Sequence, residues 1–232
     1  ACAAADEIIA ISNSTKRDLI EKFKVPESKV HVVYLGVSPD FLTRNHLIDA
    51  TDDSLESEDY VLYVGKRGGY KNFKMLLDAF CRNISLSKNF QLIAFGGGEF
   101  TSAERAYIRE LGLPDSSIKH VSGNDALLAR YYRGARLMVY PSLYEGFGLP
   151  IIEAMACGCP VLTSNISSMP EVGQKACAYF EPANPNSLVD CLSDLLKDNV
   201  ALNEFSKLGL DHSQNFVWEN TARETEKLYL KH

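Results

Sequence analysis

Apolar positions along this 232-residue chain fall into short continuous runs separated by stretches of helical period. YVLYV at 60–64, QLIAF within 90–95 and LMVY at 137–140 show no polar alternation. Strands that read this way have both faces covered, as in a parallel sheet. Further strands are predicted at 8–12, 30–35, 118–121 and 160–163. Helices are predicted at 14–23, 72–82, 126–134, 149–157, 187–197, 200–208 and 218–230. One more is opened by Thr101, with Glu104 three residues on as a capping box, and is closed by Gly112.

Strand and helix in alternation with short connections predict an α/β fold, a Rossmann-like parallel sheet with helices on both faces. Ligands of such sheets bind beyond the carboxyl ends of the strands. The loops to examine therefore follow Val64, Phe95, Val121 and Tyr140. The composition, 46% apolar and 23% charged, supports a full core in one large or two smaller domains. A net charge of −6 argues against a nucleic-acid-binding face. The acidic run at 49–59 reads as a solvated loop.

Six cysteines, mostly among apolar residues, read as buried free thiols of a reducing compartment. No apolar run approaches the roughly 20 residues of a membrane-spanning helix. The start, ACAAADEIIA, has neither the basic nor the long apolar region of a signal peptide, and without an initiator Met the chain reads as a fragment.

The first loop, GKRGGYKN at 65–72, gathers three glycines and three cations at the start of a helix. Glycines allow close backbone approach and a helix N-terminus favours anions. The loop reads either as an anion site using Lys66, Arg67 and Lys71 or as a solvated basic turn. It is not a Walker A loop, because Tyr70 replaces its second glycine and Asn72 follows the lysine. GGGEF at 96–100 lacks the last glycine of a dinucleotide fingerprint, where Thr101 stands, and reads equally as a plain turn. In HVSGNDALL at 120–128, Ser122 or Asn124 is a candidate helix cap, and His120 reads as structural or exposed.

The fourth loop leads into EGFGLPIIEAMACGCPV. Pro150 suits a first helical turn and Gly158 a helix end. Ile151, Ile152, Ala154, Met155 and Ala156 leave no polar face, so the helix is expected to be buried all round. Glu153 stands among them. A buried carboxylate needs hydrogen-bond partners. They come either from the protein, through the helix dipole or an internal arginine, or from a ligand. A ribose diol supplies two hydroxyls, and a phosphate held by the 146–149 amides would lie at the same helix end. Glu145, eight positions earlier, either reaches further hydroxyls of that ligand or is a surface residue near a positive helix end. No Ser-His-Asp set or metal cluster is visible.

The spacing E-x7-E within EGFGLPIIEAMACGCPV closely resembles the retaining, sugar-nucleotide-dependent glycosyltransferases of family 4, which have the GT-B fold. ADEIIAISNSTKRDLIEKF is similar to the end of that family's N-terminal domain, and VHVVYLGVSPDF to the crossing into its second domain. YVLYVGKRGGYKNFKMLLDAF, LIAFGGGEF and YYRGARLMVYPSLYEGFGLP follow in the family's order. The resemblance implies a remnant of the acceptor domain at 1–42, a sugar-nucleotide-binding Rossmann-like domain at 43–215, and a helix at 216–232 crossing back.

It also implies roles for individual residues. Gly65, Lys66, Arg67 and Lys71 would bind the donor, with Arg67 and Lys71 on its diphosphate in place of a metal, so that no metal or other cofactor is required. Many members carry Arg where Lys66 stands, which leaves Lys66 and Arg67 as alternatives for that role. Glu145 would face the donor sugar, the amides of Gly146, Phe147, Gly148 and Leu149 would hold phosphate or sugar oxygens, and Glu153 the ribose.

The implied reaction is hexosyl transfer with retention of configuration. The implied acceptor is an unidentified glycan or lipid-linked glycan. The YKN segment leans toward GDP-mannose over a UDP-sugar. A non-catalytic nucleotide-sugar-binding module is the alternative. The implied setting is the cytoplasm, with membrane association through the missing first domain. Surface left bare by that domain is a candidate for dimerisation.

Overall fold

The computed structural model of the chain describes residues 2–42, 59–82 and 88–230. Most of the acidic run, 49–58, lies outside the described residues. Strands β1 (Ile8–Ala10) and β2 (Val30–Val32) form a small parallel pair joined by helix α1 (Asn13–Glu21). The short helix α2 (Pro39–Leu42) follows.

The main sheet contains β3 (Tyr60–Val64), β4 (Gln91–Phe95), β5 (Ile118–Val121), β6 (Leu137–Tyr140), β7 (Val161–Ser164) and β8 (Ala178–Phe180). All neighbours are parallel, in the order β5-β4-β3-β6-β7-β8. Helices after β3 include α3 (Phe73–Arg82), α4 (Ser102–Glu110), α5 (Asp125–Gly134), α6 (Leu149–Ala156), α7 (Met169–Gly173), α8 (Pro185–Leu195), α9 (Asn199–Ser213) and α10 (Trp218–Tyr229).

The continuous apolar strands are buried on both faces, as expected. Along β3, Tyr60, Leu62 and Val64 enter the core shared with α5 and α6, where Tyr132, Ile151 and Ile152 lie. Val61 and Tyr63 enter the opposite core, with Leu76 and Phe80 of α3 and Leu188 and Leu192 of α8.

Helix α4 has the expected capping box, and Asn124 rather than Ser122 caps α5. The predicted helix at 72–82 begins one residue later. Gly69–Lys71 form a 3-10 turn and Asn72 is left-handed at φ 56°, which separates that turn from α3. β8 and α7 were not predicted. None of the six cysteines is paired, and burial pushes the Cys157 thiol up to about 12. Among the described residues no helix is long and apolar enough to cross a membrane.

Between β2 and α2 the chain meets the start of α10. Val37 N–H donates to the Phe216 carbonyl at 2.9 Å. Gly36 lies so close to the backbone of Val217 and Trp218 that a Cβ there would overlap both. Helix α10 itself has no buried residue, and Trp218, Tyr229 and Leu230 are exposed.

Candidate functional site

The strand order reverses between β3 and β6, where crossovers leave in opposite directions, the place at which open α/β sheets bind their ligands. The first and fourth loops meet there. The Tyr70 carbonyl accepts the Leu143 N–H at 2.7 Å, fastening one loop to the other. Lys71 Nζ stands 2.6 Å from Glu145 Oε1 and 3.3 Å from the Tyr140 hydroxyl. This ion pair keeps only 18% and 11% of its side chains exposed, so it is screened far less than a surface pair. Of the two remaining cations, Lys66 is exposed and Arg67 is buried.

The resemblance implies that Arg67 binds the diphosphate, whereas in this structure its guanidinium is turned into the protein. Its side chain is 3% exposed. Nε donates to Glu104 at 2.7 Å, Nη1 to the Gly96 carbonyl at 2.9 Å, and Nη2 to the carbonyls of Gly98 and Glu99 at 2.8 and 2.9 Å. The guanidinium also lies over the Phe100 ring, 4.7 Å from its centroid. Burial pushes the Glu104 carboxyl up, but Arg67 and the Thr101 amide more than offset this and hold it below its ordinary value.

The carbonyls of the GGGEF loop thus receive Arg67. Gly97, at φ 73°, would bring a Cβ to 2.8 Å from the Gly65 carbonyl, so only glycine permits this approach of the two loops. Replacing Arg67 by Gln strips donors from Glu104 and three carbonyls. It is expected to lower the unfolding free energy by about 2–4 kcal/mol. Urea unfolding measures this, and a loss below about 1 kcal/mol would show the guanidinium to be dispensable.

The loop before α6 is held by hydroxyl groups. Ser167 donates to the Glu145 carbonyl at 2.7 Å, and the single Ser168 hydroxyl proton is shared between the Glu145 and Phe147 carbonyls, 2.9 and 2.8 Å from its oxygen. Ser12 and Thr15 donate to the Gly146 carbonyl at 2.7 and 3.0 Å. A trans peptide points its N–H away from its carbonyl. Anchoring the carbonyls of 145–147 therefore aims the amides of Gly146, Phe147 and Gly148 the other way. Among the described residues none of these three amides has a protein acceptor. No side chain caps α6, whose N-cap is Gly148 at φ 107°. The Phe147 side chain is buried against Tyr34 and Phe216, so this residue offers only its backbone.

Glu153 is held by Tyr132, whose hydroxyl donates to Oε2 at 3.0 Å. The partner is thus neither an arginine nor the first turn of the helix. Tyr132 carries no chemical motif in the sequence, and only the packing of α5 on α6 brings it there. The second oxygen of Glu153 has no donor among the described residues. Burial raises the carboxyl from 4.5 to about 7, against the opposing bond from Tyr132 and with a small push from Asp125. His120 is structural, as expected: its ring is largely buried, and Nδ1 lies 3.2 Å from Glu99.

The sequence pattern of the glycosyl transferases group 1 matches residues 48–228, and that of Glycosyltransferase Family 4 matches residues 1–41. The chain belongs to the glycosyl transferases group 1, and its parallel sheet with helices on both faces is that of the GT-B glycosyltransferases.

It is 30% identical over 231 residues to O-antigen chain mannosyltransferase B of Escherichia coli, covering 97% of this chain and 61% of that protein. It is 30% identical over 237 residues to MMP alpha-(1->4)-mannosyltransferase of Mycolicibacterium hassiacum, covering 97% of this chain and 54% of that protein. Anabaena Alr3699/HepE, solved in complex with UDP-glucose, matches with a TM-score of 0.83 at 19% identity, over 97% of this chain and 64% of that one, a likeness of fold. The chain therefore spans 54–61% of the length of the two mannosyltransferases.

Proposed function

We propose that this chain is the sugar-nucleotide-binding part of a retaining hexosyltransferase, with GDP-mannose favoured over a UDP-sugar and a glycan or lipid-linked glycan as acceptor. The convergence of Lys71, Glu145, the unpaired 146–148 amides and Glu153 at the sheet's switch point carries this reading. Lys66 and Lys71 neutralise the diphosphate, so binding needs no metal. The amides before α6 take phosphate or sugar oxygens, at the positive end of the helix. Glu153 accepts from the ribose diol through the oxygen that Tyr132 leaves open. Glu145 faces the sugar.

As the glycosidic bond to the diphosphate breaks, negative charge grows on the departing phosphate. The fixed lysine and amide dipoles stabilise it without reorganising. The mannosyltransferase relatives support the choice of sugar, together with the YKN segment. The proposed division is 1–42, 43–215 and 216–232, and transfer needs the rest of the first domain, which supplies the acceptor pocket.

Calorimetry with GDP, UDP and ADP, each with and without chelator, tests the reading. GDP is expected to bind most tightly and equally with chelator present. Silence with all three nucleotides would remove the nucleotide from the site.

A further inference from the structure

The loop that presents the 146–148 amides is built from two parts of the chain. Ser167 and Ser168 hold the carbonyls of Glu145 and Phe147 from within the region 48–228, but among the described residues the carbonyl between them is held from the segment 1–41. Ser12 is fully buried, caps α1 by accepting the Thr15 N–H at 2.9 Å, and sends its own proton to Gly146. Thr15 adds a second donor to the same oxygen.

The segment carrying these hydroxyls is itself clamped. Glu171 of α7 accepts from the Asn13 and Ser14 amides at 2.6 and 3.0 Å and from Asn13 Nδ2 at 2.9 Å. Tyr34, at the end of the same segment, packs its ring 5.9 Å from Phe147 and accepts from Asn13 Nδ2 at 3.0 Å. The loop thus sits where the chain's two crossings, through Tyr34 and through Phe216, meet.

We propose that Ser12 and Thr15 are positioning residues for the sugar nucleotide. By fixing the Gly146 carbonyl they aim the Phe147 amide at a phosphate or sugar oxygen, so the first segment sets the geometry of that amide. The role for the nucleotide rests on the reading above, whereas the ordering of the loop does not.

The test uses the full chain with Thr15→Val, Thr15→Ser and the double variant Ser12→Ala/Thr15→Val. In the ligand-free protein, order parameters of Gly146, Phe147 and Gly148 from 15N relaxation are expected to fall from about 0.85, the rigid value, to below about 0.6 in the double variant. A smaller fall is expected in Thr15→Val. Thr15→Ser, which keeps the donor, should restore the wild-type values, and amides of α3 and α8 should stay unchanged throughout.

GDP affinity by calorimetry is expected to drop about three- to tenfold in Thr15→Val and to recover in Thr15→Ser, a change a cycle of hydroxyl removal and return can isolate. Unchanged order parameters in the double variant would overturn the proposal. So would a loosened loop that binds GDP as well as wild type does. A wild-type chain silent toward nucleotides sinks the nucleotide reading instead, and the relaxation data then still decide whether the two hydroxyls order the loop.

Discussion

Replacing Glu153 by Gln is expected to make the protein more stable above neutral pH and, at the same pH, a poorer nucleotide binder. The two effects have one origin. Burial raises the carboxyl from 4.5 to about 7, so folding takes up a proton between those values. Stability tied to this group is therefore highest below about pH 4.5, falls as pH rises toward 7, and stays lowered above it. A separation of two to three pH units corresponds to about 3 kcal/mol. Gln has the same shape, carries no charge to desolvate, and still accepts from Tyr132.

The substitution should then add about 1–3 kcal/mol to the unfolding free energy at pH 8 and almost nothing at pH 4.5. Urea unfolding at the two pH values reads the difference. The charged oxygens are nonetheless what a ribose diol seeks. Hydrogen bonds to a charged acceptor contribute about 1.5–3 kcal/mol, and losing that weakens binding by about ten- to a hundredfold. Wild-type affinity should likewise decline as pH falls through about 7. A folded variant with unchanged stability at pH 8 and unchanged affinity would remove Glu153 from the site and leave its burial unexplained.

The main strands and most of the helices could be read from the sequence, because each rests on a local pattern. β3, β4 and β6 read as strands because burial on both faces leaves nothing polar in them. β8 and α7 escaped because three and five residues give no period to detect. The sequence singled out candidate site residues where their chemistry is unusual for its surroundings: an acid in an apolar helix, and cations in a glycine-rich loop.

The sequence could not show which way a side chain turns when two loops far apart in the chain decide it. Arg67 faces inward because the carbonyls of the 96–99 loop, 29–32 positions away, converge on it. Glu104 was fully accounted for by its capping box, so nothing in the sequence indicated a second partner. Tyr132 and the hydroxyls of Ser12 and Thr15 act across 21 to 134 positions and have no motif of their own.

Lys71 and Glu145 should respond to mutation in opposite directions. In the ligand-free protein each neutralises the other at 2.6 Å, and on the proposed reading an arriving diphosphate competes with Glu145 for the same ammonium. Lys71→Met removes the cation and also leaves the Glu145 carboxylate uncompensated where the anion must settle. Two unit charges about 4 Å apart interact by about 4 kcal/mol at an effective dielectric near 20. Affinity for GDP is therefore expected to fall by at least about a hundredfold, close to 3 kcal/mol.

Glu145→Gln removes the competitor instead. GDP affinity should then stay level or rise by up to about tenfold, roughly 1.4 kcal/mol, because Lys71 no longer divides its charge. What Glu145→Gln should lose is the extra affinity of GDP-mannose over GDP, since on the proposed reading the carboxylate faces the transferred hexose, which GDP lacks. Calorimetry of both variants with both ligands separates these effects. If Lys71→Met binds GDP like wild type, the diphosphate does not lie against this lysine. If Glu145→Gln weakens GDP as severely as Lys71→Met does, the pair orders the loop rather than competing with the ligand.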